Sequence, residues 1–270
     1  MTSSTPHTTP AVTLAIGGHD PSGGAGIQAD IEAIIALGGY ATSAITCLTV
    51  QDTRNVQQLI PVEPDTVIAQ AEAVLADLPV NAIKVGLIGD AAIAHKLAQL
   101  LKQHPSIPVV VDPVLAAGGG TTLASDKLRQ TLLEELLPVT YLLTPNSQEA
   151  RTLTGATRLD DCAKILLLHG CQHLLITGTH EESDEVINTL YNPDGTTNHW
   201  QWPRLPDEYH GSGCTLAAAI ASLLAQGQPL TEALYHAQDF AWQSLLHAHK
   251  LGRGQALPDR LYQLRQHPHD

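Results

Sequence analysis

The stretch VTLAIGG (Val12–Gly18), with the helix and strand that follow it, indicates the fold class of this chain. Val12–Gly18 is a short apolar run ending in glycine, which is typical of a buried strand. Ala25–Leu37 carries isoleucines at the 3.6-residue spacing of a helix and ends before Gly38-Gly39. Ala44–Val50 is again a short apolar run. The order strand, helix, strand predicts parallel strands joined by a crossover helix.

The rest of the chain continues this alternation. Further helices are predicted at Pro64–Leu78, Asp90–Gln103, Ser125–Leu137, Ser147–Leu153, Asp160–His169, after Gly213, and from Leu230 to about His249. Further strands are predicted at Asn81–Ile88, Pro108–Val114, Tyr141–Thr144 and His173–Thr177, with an antiparallel hairpin of Glu185–Tyr191 and Asn198–Trp202 around Asn192–Gly195. We expect an α/β fold with one doubly wound, mainly parallel sheet and helices on both faces. Residues 1–11 are predicted to be a flexible tail, and residues 12–270 a single domain.

Composition narrows the class of protein. The 27 acidic and 14 basic residues give a formal net charge of −13, which argues against nucleic acid or an anionic membrane as the main partner. Cys47, Cys162, Cys171 and Cys214 form no Cys-x-x-Cys pair. We therefore expect reduced thiols and a cytoplasmic protein. Met1–Pro10 has neither the basic nor the apolar region of a signal peptide, and no apolar run is long enough to span a bilayer.

The run His210–Thr215 (HGSGCT) directly precedes the apolar helical segment Leu216–Ala225. The first N–H groups of a helix have no helical partner, and the helix dipole adds partial positive charge there. Glycines let an anion approach the backbone, so the run suits a phosphate. The alternative is an ordinary helix start with Ser212 as its N-cap.

Polar and glycine residues follow each predicted parallel strand. These sets are Gly18–Gly26, Gln51–Thr53, Gly86-Leu87, Asp112-Pro113, Thr144–Asn146 with Glu149, and Thr177–Thr179. Right-handed crossovers bring the carboxyl ends of parallel strands to one edge of the sheet, where ligands bind. The convergence predicts an enzyme site at that edge.

Two other patterns imitate known sites. Gly24–Ala29 matches the dinucleotide pattern G-x-G-x-x-A, but five residues including Pro21 separate it from the strand, whereas that fold needs a tight turn. His169, Cys171 and His173 alternate like metal ligands, but a fourth ligand is missing, so a loop leading into a strand is the favoured interpretation. The chain also lacks a G-x-x-x-x-G-K-[ST] phosphate loop.

Taken together, these motifs resemble the hydroxymethylpyrimidine/phosphomethylpyrimidine kinases of thiamine biosynthesis, in the ribokinase-like superfamily. The resemblance spans roughly Val12 to His249. Its strongest parts are Gly17–Tyr40, Ala44–Thr53, Val111–Leu115, Leu142–Ala150 and His210–Ala221.

The resemblance implies two successive phosphoryl transfers from ATP, first to 4-amino-5-hydroxymethyl-2-methylpyrimidine and then to its monophosphate. It implies a cradle for the transferring phosphate at Gly211, Ser212, Gly213 and Cys214, with Cys214 at the position where many sugar kinases carry an Asp base. It implies pyrimidine contacts from Gly18, Asp30, Gln51 and Leu87, and ATP contacts from Asn146, Thr177, Gly178 and Thr215. It also implies magnesium held by Asp112 and Glu149, directly or through water, and a homodimer.

Three residues depart from common family patterns or raise a chemical question. Leu87 stands where many members carry Met, a residue of similar volume. Thr177 replaces a lysine near the ATP phosphates, so magnesium and the helix terminus must carry more of the charge. Cys214 is a weak base at a pKa near 8.5, although a helix N-terminus lowers a thiol pKa.

Two rival functions stay open at this point. One is a kinase for pyridoxine-like vitamins on the same fold, against which Gln51 and Cys214 favour the pyrimidine. The other is a non-catalytic pyrimidine-binding protein, for which the Thr177 departure is the support.

Overall fold

The computed structural model describes residues 9–116, 119–121 and 123–265 of the chain. The strands are β1 Val12–His19, β2 Tyr40–Gln51, β3 Val56–Pro61, β4 Val80–Val85, β5 Val109–Val111, β6 Leu142–Leu143, β7 His173–Ile176, β8 Glu185–Tyr191 and β9 Thr197–Pro203. They form one sheet in the order β3-β2-β1-β4-β5-β6-β7-β8-β9. The strands β2, β1, β4, β5, β6 and β7 run parallel, and β3, β8 and β9 pair antiparallel with their neighbours. The predicted mainly parallel sheet is confirmed.

Helices cover both faces of this sheet. They are α1 Gly26–Ala36, α2 Pro64–Asp77, α3 Ala91–Leu101, α4 Asp126–Thr131, α5 Ser147–Thr154, α6 Leu159–Leu168, α7 Ser212–Ala225, α8 Leu230–Leu246 and α9 Tyr262–Arg265. The helices α1, α7 and α8 pack together on one face, whereas α2 to α6 contribute to the apolar core on the other. In the described part of the chain, no helix combines the length and apolarity needed to cross a membrane.

The central strands are buried on both faces. On β5, Val109 and Val111 join the core under α2 to α6, whereas Val110 joins the core under α1, α7 and α8. Side chains alternate between faces along a strand, so a continuous apolar run is what a two-sided core requires. The predicted strand Pro108–Val114 is too long, because Pro113 has no N–H for the ladder; the strand ends at Val111.

The edge strand β3 was not predicted from the sequence. Val56–Pro61 contains two glutamines and is largely exposed, because only its partner β2 contacts it within the sheet. The strand β2 also begins four residues earlier than predicted, at Tyr40, and α8 ends at Leu246 instead of about His249. These differences lie at edges and ends, where tertiary pairing outweighs local pattern.

The predicted tail extends outside the described residues, which begin at residue 9. Strand β1 begins at Val12, next to the predicted boundary. The division into a tail and a single domain stays a prediction.

Candidate active site

A cavity of about 680 Å³ opens at the carboxyl ends of the parallel strands. Gly18 near the end of β1, Gln51 at the end of β2 and Asp112 after β5 all line it. This is the sheet edge at which α/β folds bind ligands. The predicted site residues that line the cavity are Gly18, Gln51, Leu87, Asp112, Asn146, Glu149, Thr177, Gly211, Ser212, Gly213 and Cys214. The structure therefore brings most of the predicted site residues together around one cavity.

The first turn of α7 presents unpaired backbone donors to this cavity. Gly211 is the N-cap residue, with φ of 80° in the left-handed region, and no side chain caps the helix. The alternative with Ser212 as N-cap is wrong, because Ser212 is already inside the helix. The N–H groups of the first turn have no helical acceptors, so they are available to an anion.

Close packing explains why Gly211 is glycine. A Cβ atom at this position would overlap the carbonyl oxygen of Gly24, in the loop between β1 and α1. The left-handed φ adds a further cost for any residue with a side chain. Gly213 differs, because a Cβ there would lie 3.7 Å from both carboxylate oxygens of Asp112 and meet nothing closer. The start of α7 therefore lies beside the Asp112 carboxylate at Gly213.

A buried arginine holds this helix start against the loop. Arg260 is 2% exposed and donates from Nε to Thr215 Oγ1 over 2.7 Å. The same guanidinium donates to the Gly24 carbonyl and pairs with Glu32 at 3.0 Å. Thr215 in turn donates to the Gly211 carbonyl over 2.8 Å. Thr215 therefore supports the cradle from behind and does not line the cavity, and its predicted contact with ATP stays a prediction.

Asp30 does not line the cavity, and its predicted contact with the pyrimidine edge stays a prediction. Its two carboxylate oxygens accept from Lys84 Nζ at 2.7 and 2.9 Å, and both side chains are buried. Burial disfavours the ammonium ion, yet the nearby charge of Asp30 raises the pKa of Lys84.

Asp112 and Glu149 form an acidic pair in the wall. Burial raises the pKa of Asp112 to about 6. Burial and the charge of Asp112 raise the pKa of Glu149 to about 8. The Asp112 Oδ2 atom is buried and has no hydrogen-bond partner. An unpartnered carboxylate oxygen beside a second carboxyl group fits a hard divalent cation, with water completing its coordination.

Glu149 and Asn146 also have a structural role. Asn146 is the N-cap of α5, and its side chain accepts from the Glu149 N–H at 2.9 Å. Glu149 Oε2 accepts from the Asn146 N–H at 2.9 Å, which completes a capping box. The box fixes both side chains where they line the cavity.

Cys214 carries a neutral thiol. Burial raises its pKa to about 12, with the Asp112 and Asp30 carboxylates adding to the rise and Lys84 opposing it. The expectation that the helix N-terminus would lower this pKa is wrong, because neighbouring carboxylates and burial both disfavour a thiolate. The Cys214 thiol in turn opposes part of the rise in the pKa of Asp112.

Gly18 and Leu87 shape the apolar side of the cavity. A Cβ at Gly18 would lie 2.8 Å from Cys47 Sγ and 3.1 Å from Leu87 Cδ2, so only glycine fits. The Leu87 carbonyl accepts from Thr46 Oγ1, which fixes the backbone below that side chain. Leu87 therefore presents a flat apolar contact for a ring.

The end of β7 joins the wall through backbone contacts. The Thr177 N–H donates to Pro145 at 3.0 Å, and the Thr177 carbonyl accepts from Ser147 at 3.0 Å. A Cβ at Gly178 would overlap the Ile187 carbonyl oxygen. Gly178 is thus explained by packing against β8, and it does not line the cavity.

An arginine lies at this same end. Arg204 lines the cavity and donates to the carbonyls of Thr179, Glu181 and Ser183 at 2.7, 3.0 and 2.9 Å. These acceptors are neutral, so the hydrogen bonds do not offset the positive charge of the guanidinium. Burial and the charge of Arg204 lower the pKa of His180, which lines the cavity beside it.

Sequence reasoning did not single out Lys84, Arg204 or Arg260. Lys84 had a usable signal, since a lysine inside the apolar run Asn81–Ile88 must find a buried partner. Arg204 and Arg260 had none, because their partners lie on distant segments and no local pattern marks them.

Of the alternating His169, Cys171 and His173, the last two have structural partners. The Cys171 thiol is buried and donates to the Leu166 carbonyl at 3.4 Å. His173 Nδ1 contacts Asn192 Oδ1 at 2.8 Å. Within residues 9–116, 119–121 and 123–265, no three His, Cys, Asp or Glu side chains are grouped to hold a metal.

Residues 20–259 match the family model for phosphomethylpyrimidine kinase. This chain belongs to the phosphomethylpyrimidine kinase family. A hydroxymethylpyrimidine/phosphomethylpyrimidine kinase from Haemophilus influenzae is 36% identical over 89% of this chain and 93% of the relative. The thiamine biosynthesis bifunctional protein of Geobacter sulfurreducens is 40% identical over 89% of this chain, which spans 50% of that longer protein.

Solved structures of family members and of related vitamin kinases share the fold. The ADP complex of Bacillus subtilis pyridoxal kinase has a TM-score of 0.86 at 29% identity, covering 93% of this chain and 98% of the other. The phosphomethylpyrimidine kinase of Clostridium difficile has a TM-score of 0.74 at 33% identity, covering 85% and 97%. The expected ribokinase-like architecture is confirmed by these kinase structures.

Proposed function

We propose that this chain phosphorylates 4-amino-5-hydroxymethyl-2-methylpyrimidine with ATP and then phosphorylates the monophosphate to the diphosphate precursor of thiamine. The observation that carries the proposal is the uncapped start of α7, which lies beside Asp112 in the cavity that Gln51 and Leu87 also line. The family membership and the names of the Haemophilus and Geobacter relatives support the same reaction.

The acceptor ring is proposed to lie against Gly18 and Leu87, with the Gln51 carboxamide at its polar edge. A carboxamide pairs well with an aminopyrimidine, because each offers one donor beside one acceptor. Asp30 contributes indirectly, by holding Lys84 in the wall.

The nucleotide is proposed to occupy the end of the cavity formed by Asn146, Thr177, His180 and Arg204. The ADP complex of the Bacillus pyridoxal kinase supports a nucleotide in this fold. Arg204 supplies a positive charge at this end, because its hydrogen bonds go to neutral carbonyl groups. The γ-phosphate then meets the N–H groups of Ser212, Gly213 and Cys214.

Asp112 and Glu149 would hold magnesium, with water completing its coordination. The unpartnered Asp112 Oδ2 and the raised pKa values of both carboxyl groups fit that assignment. When bound, the ion would neutralise charge on the transferring phosphates.

Alignment and charge stabilisation account for most of the catalysis in this proposal. In the first step the hydroxymethyl oxygen forms a bond to the γ-phosphorus while the bond to the β-phosphate oxygen breaks, ADP leaves and the hydroxyl proton passes to an oxygen of the transferred phosphoryl group. The transition state of such a transfer is loose, so little base assistance is needed early. A neutral Cys214 thiol suits this step. It also suits the second step, whose phosphate acceptor would be repelled by a carboxylate at the same position.

A pyridoxine-type vitamin is the second candidate acceptor. The pyridoxal kinase of Bacillus subtilis superposes with a higher TM-score than the Clostridium phosphomethylpyrimidine kinase, 0.86 against 0.74. Both acceptors are planar heterocycles with a hydroxymethyl group, so the apolar wall at Leu87 would accept either.

A comparison of phosphate transfer to the pyrimidine alcohol and to pyridoxine tests the proposal. We expect a higher kcat/KM with the pyrimidine alcohol. A higher kcat/KM with pyridoxine would overturn the substrate assignment. Absence of turnover, together with a rise in Tm on adding the alcohol, would instead identify a pyrimidine-binding protein without catalysis.

We further propose a homodimeric, cytoplasmic enzyme built on one domain from residue 12 onward. Leu48 and Val50 on β2 and Ile60 on β3 are each more than 40% exposed, and Leu48 pairs with Ile60 in the sheet. An apolar patch of this kind favours burial against a second copy. The four cysteines are free, which suits a reducing compartment. Sedimentation of wild type and Ile60→Lys tests the dimer: the variant should sediment as a monomer.

A further inference from the structure

Three polar side chains, those of Asp20, His210 and Gln51, form a row of contacts from the loop after β1 to the proposed pyrimidine site. His210 Nε2 lies 2.7 Å from Asp20 Oδ2 and 3.1 Å from the Gln51 side-chain amide. The side chains of His210 and Asp20 are only 13% and 4% exposed. This row of contacts connects Gln51 to His210, the residue directly before the cradle glycine Gly211.

Asp20 is fixed as a charged acceptor. Its Oδ1 accepts from the backbone N–H and the hydroxyl of Ser22 at 2.8 and 2.7 Å, and its Oδ2 accepts from the Ala25 N–H at 2.9 Å. Burial works against the charge, but the hydrogen bonds from His210 and Ser22 lower the pKa of Asp20 overall.

This carboxylate determines where the imidazole carries its proton. An Nε2 lone pair would face the Asp20 carboxylate and be repelled, so Nε2 must carry the hydrogen. The same holds for the neutral ring with its proton on Nε2 and for the imidazolium ion. The ring also packs closely on Gly24, where a Cβ would overlap its Cδ2 atom, and this contact restricts its rotation.

A proton on His210 Nε2 has a consequence for the amide of Gln51. An amide NH2 group and an imidazole N–H are both donors and cannot bond to each other. Rotation of the amide by 180° exchanges its oxygen and nitrogen, so that the oxygen faces the Nε2–H and shares this one hydrogen with Asp20 Oδ2 in a three-centre hydrogen bond. The NH2 group then occupies the other corner of the amide, on the side away from His210.

We propose that His210, held by Asp20, fixes the orientation of the Gln51 carboxamide and so selects pyrimidines that carry a 4-amino group. The inference rests on the proposed placement of the pyrimidine edge at Gln51. His210 is a positioning residue in this account, since it acts on the substrate through Gln51.

The selection follows from the order of donors and acceptors. A 4-aminopyrimidine offers an amino donor beside the N3 acceptor, and the 4-oxo analogue offers an oxygen acceptor beside an N3–H donor. One fixed carboxamide orientation matches one of these orders and opposes the other. A carboxamide free to rotate accepts both, so fixing it creates the discrimination.

The experiment measures kcat/KM for the 4-amino alcohol and for its 4-oxo analogue, and takes the ratio as the discrimination. For His210→Gln we expect the ratio to fall at least tenfold, because a glutamine can donate to Asp20 and still accept from the Gln51 amide. His210→Phe, which keeps a planar ring but bonds to neither partner, should lower the ratio in the same way. The KM for ATP should stay within twofold of wild type in both variants.

Ser22→Ala is the matched control. It removes the hydroxyl hydrogen bond to the other oxygen of the same carboxylate and leaves His210 and Gln51 in contact. Its ratio should equal that of wild type. If His210→Gln and His210→Phe lower both kcat/KM values equally and leave the ratio unchanged, His210 is only structural and the inference is overturned.

A fourth variant separates this inference from the proposed site. Gln51→Ala should reduce kcat/KM for the 4-amino alcohol at least tenfold. If it does not, the placement of the pyrimidine at Gln51 is wrong. If Gln51→Ala acts as expected but the His210 variants keep the wild-type ratio, only the positioning role fails.

Discussion

Cys214 shows how surroundings decide the chemistry of a residue. Its position at a helix start would lower the pKa of an isolated thiol, but its neighbours include Asp112 and Asp30. Burial and these carboxylates raise the pKa of Cys214 to about 12, so the group is a neutral thiol at physiological pH. A neutral side chain is compatible with both an alcohol acceptor and a phosphate acceptor.

Replacing Cys214 with aspartate should therefore affect the two phosphorylations unequally. The new carboxylate would repel the monophosphate, whereas the alcohol carries no charge. We expect kcat/KM for the monophosphate to fall at least tenfold more than kcat/KM for the alcohol. Separate initial rates with each acceptor measure this, with Cys214→Ser as the neutral control. Equal losses in both steps would contradict the account.

Asp112 and Glu149 predict a pH dependence of magnesium binding. Their pKa values are raised to about 6 and about 8, so both carboxyl groups are protonated in acid. Acids whose pKa is raised on folding stabilise the fold at low pH, and that stabilisation is lost as pH rises through the folded pKa. Magnesium binds the charged carboxylates. The stabilisation of the fold by bound magnesium should therefore grow as the two groups lose their protons, from about pH 6 to about pH 8.

The measurement is the difference in Tm with and without magnesium chloride across that interval. The difference should increase with pH in wild type and be small at every pH in Asp112→Asn. A difference that is independent of pH in wild type would argue against magnesium at this pair.

The Lys84–Asp30 pair predicts a stability effect that a surface pair does not share. Both side chains are at most 1% exposed, and removing one leaves the other charge buried alone. Lys84→Met should lower the free energy of unfolding by about 3–5 kcal/mol. Lys96→Met breaks an exposed pair with Asp65 and should cost at most about 1 kcal/mol. Urea denaturation measures both, and equal effects would show that the buried pair does not stabilise the fold.

At the scale of elements, the junction between α7 and the loop after β1 builds the cradle. The helix begins at a glycine because the loop carbonyl of Gly24 occupies the space of a side chain. Arg260 and Thr215 hold the two segments together from behind. The free N–H groups of the first turn are therefore placed by packing over several segments.

Two glycine-to-alanine changes should separate packing from catalysis. Gly211→Ala forces a left-handed φ and an overlap, so it should lower the free energy of unfolding by about 1–3 kcal/mol. Gly213→Ala lies in the helix with its Cβ 3.7 Å from Asp112, so stability should be unchanged or raised by about 0.5–1 kcal/mol. Its methyl group would still fill the cradle and lower kcat at least tenfold. A fully active Gly213→Ala would contradict a phosphate at this turn.

The sequence predicted the elements that local pattern determines. The strand β1, the helix α1 and the hairpin at Asn192–Gly195 follow from periodicity and turn residues, and the structure confirms them. The edge strand β3 did not follow, because its pairing with β2 and not its own pattern makes it a strand. Glycine motifs and strand ends likewise indicated where the cavity would lie.

The parts of the site that could not be predicted depend on long-range partners. Both carboxylate oxygens of Asp30 accept from Lys84, which is 54 residues away in the sequence. Arg260 reaches the Gly24 carbonyl across 236 residues. Such contacts leave no spacing signal, so the roles of these residues emerge only from the folded chain.

At the scale of the whole molecule, we propose that one cavity serves both transfers. The parallel strands bring Gln51, Asp112 and Glu149 to one sheet edge, and α7 closes it with the cradle. Because this one cradle is proposed to hold the transferring phosphate in both steps, a defect in it should slow both.

The most direct test follows the products of the purified protein with ATP and the pyrimidine alcohol by mass spectrometry. We predict that the monophosphate appears first and the diphosphate follows, and that Gly213→Ala slows both steps by at least tenfold. Release of the monophosphate without any diphosphate, or a Gly213→Ala variant that slows only one step, would contradict a single cradle for both transfers.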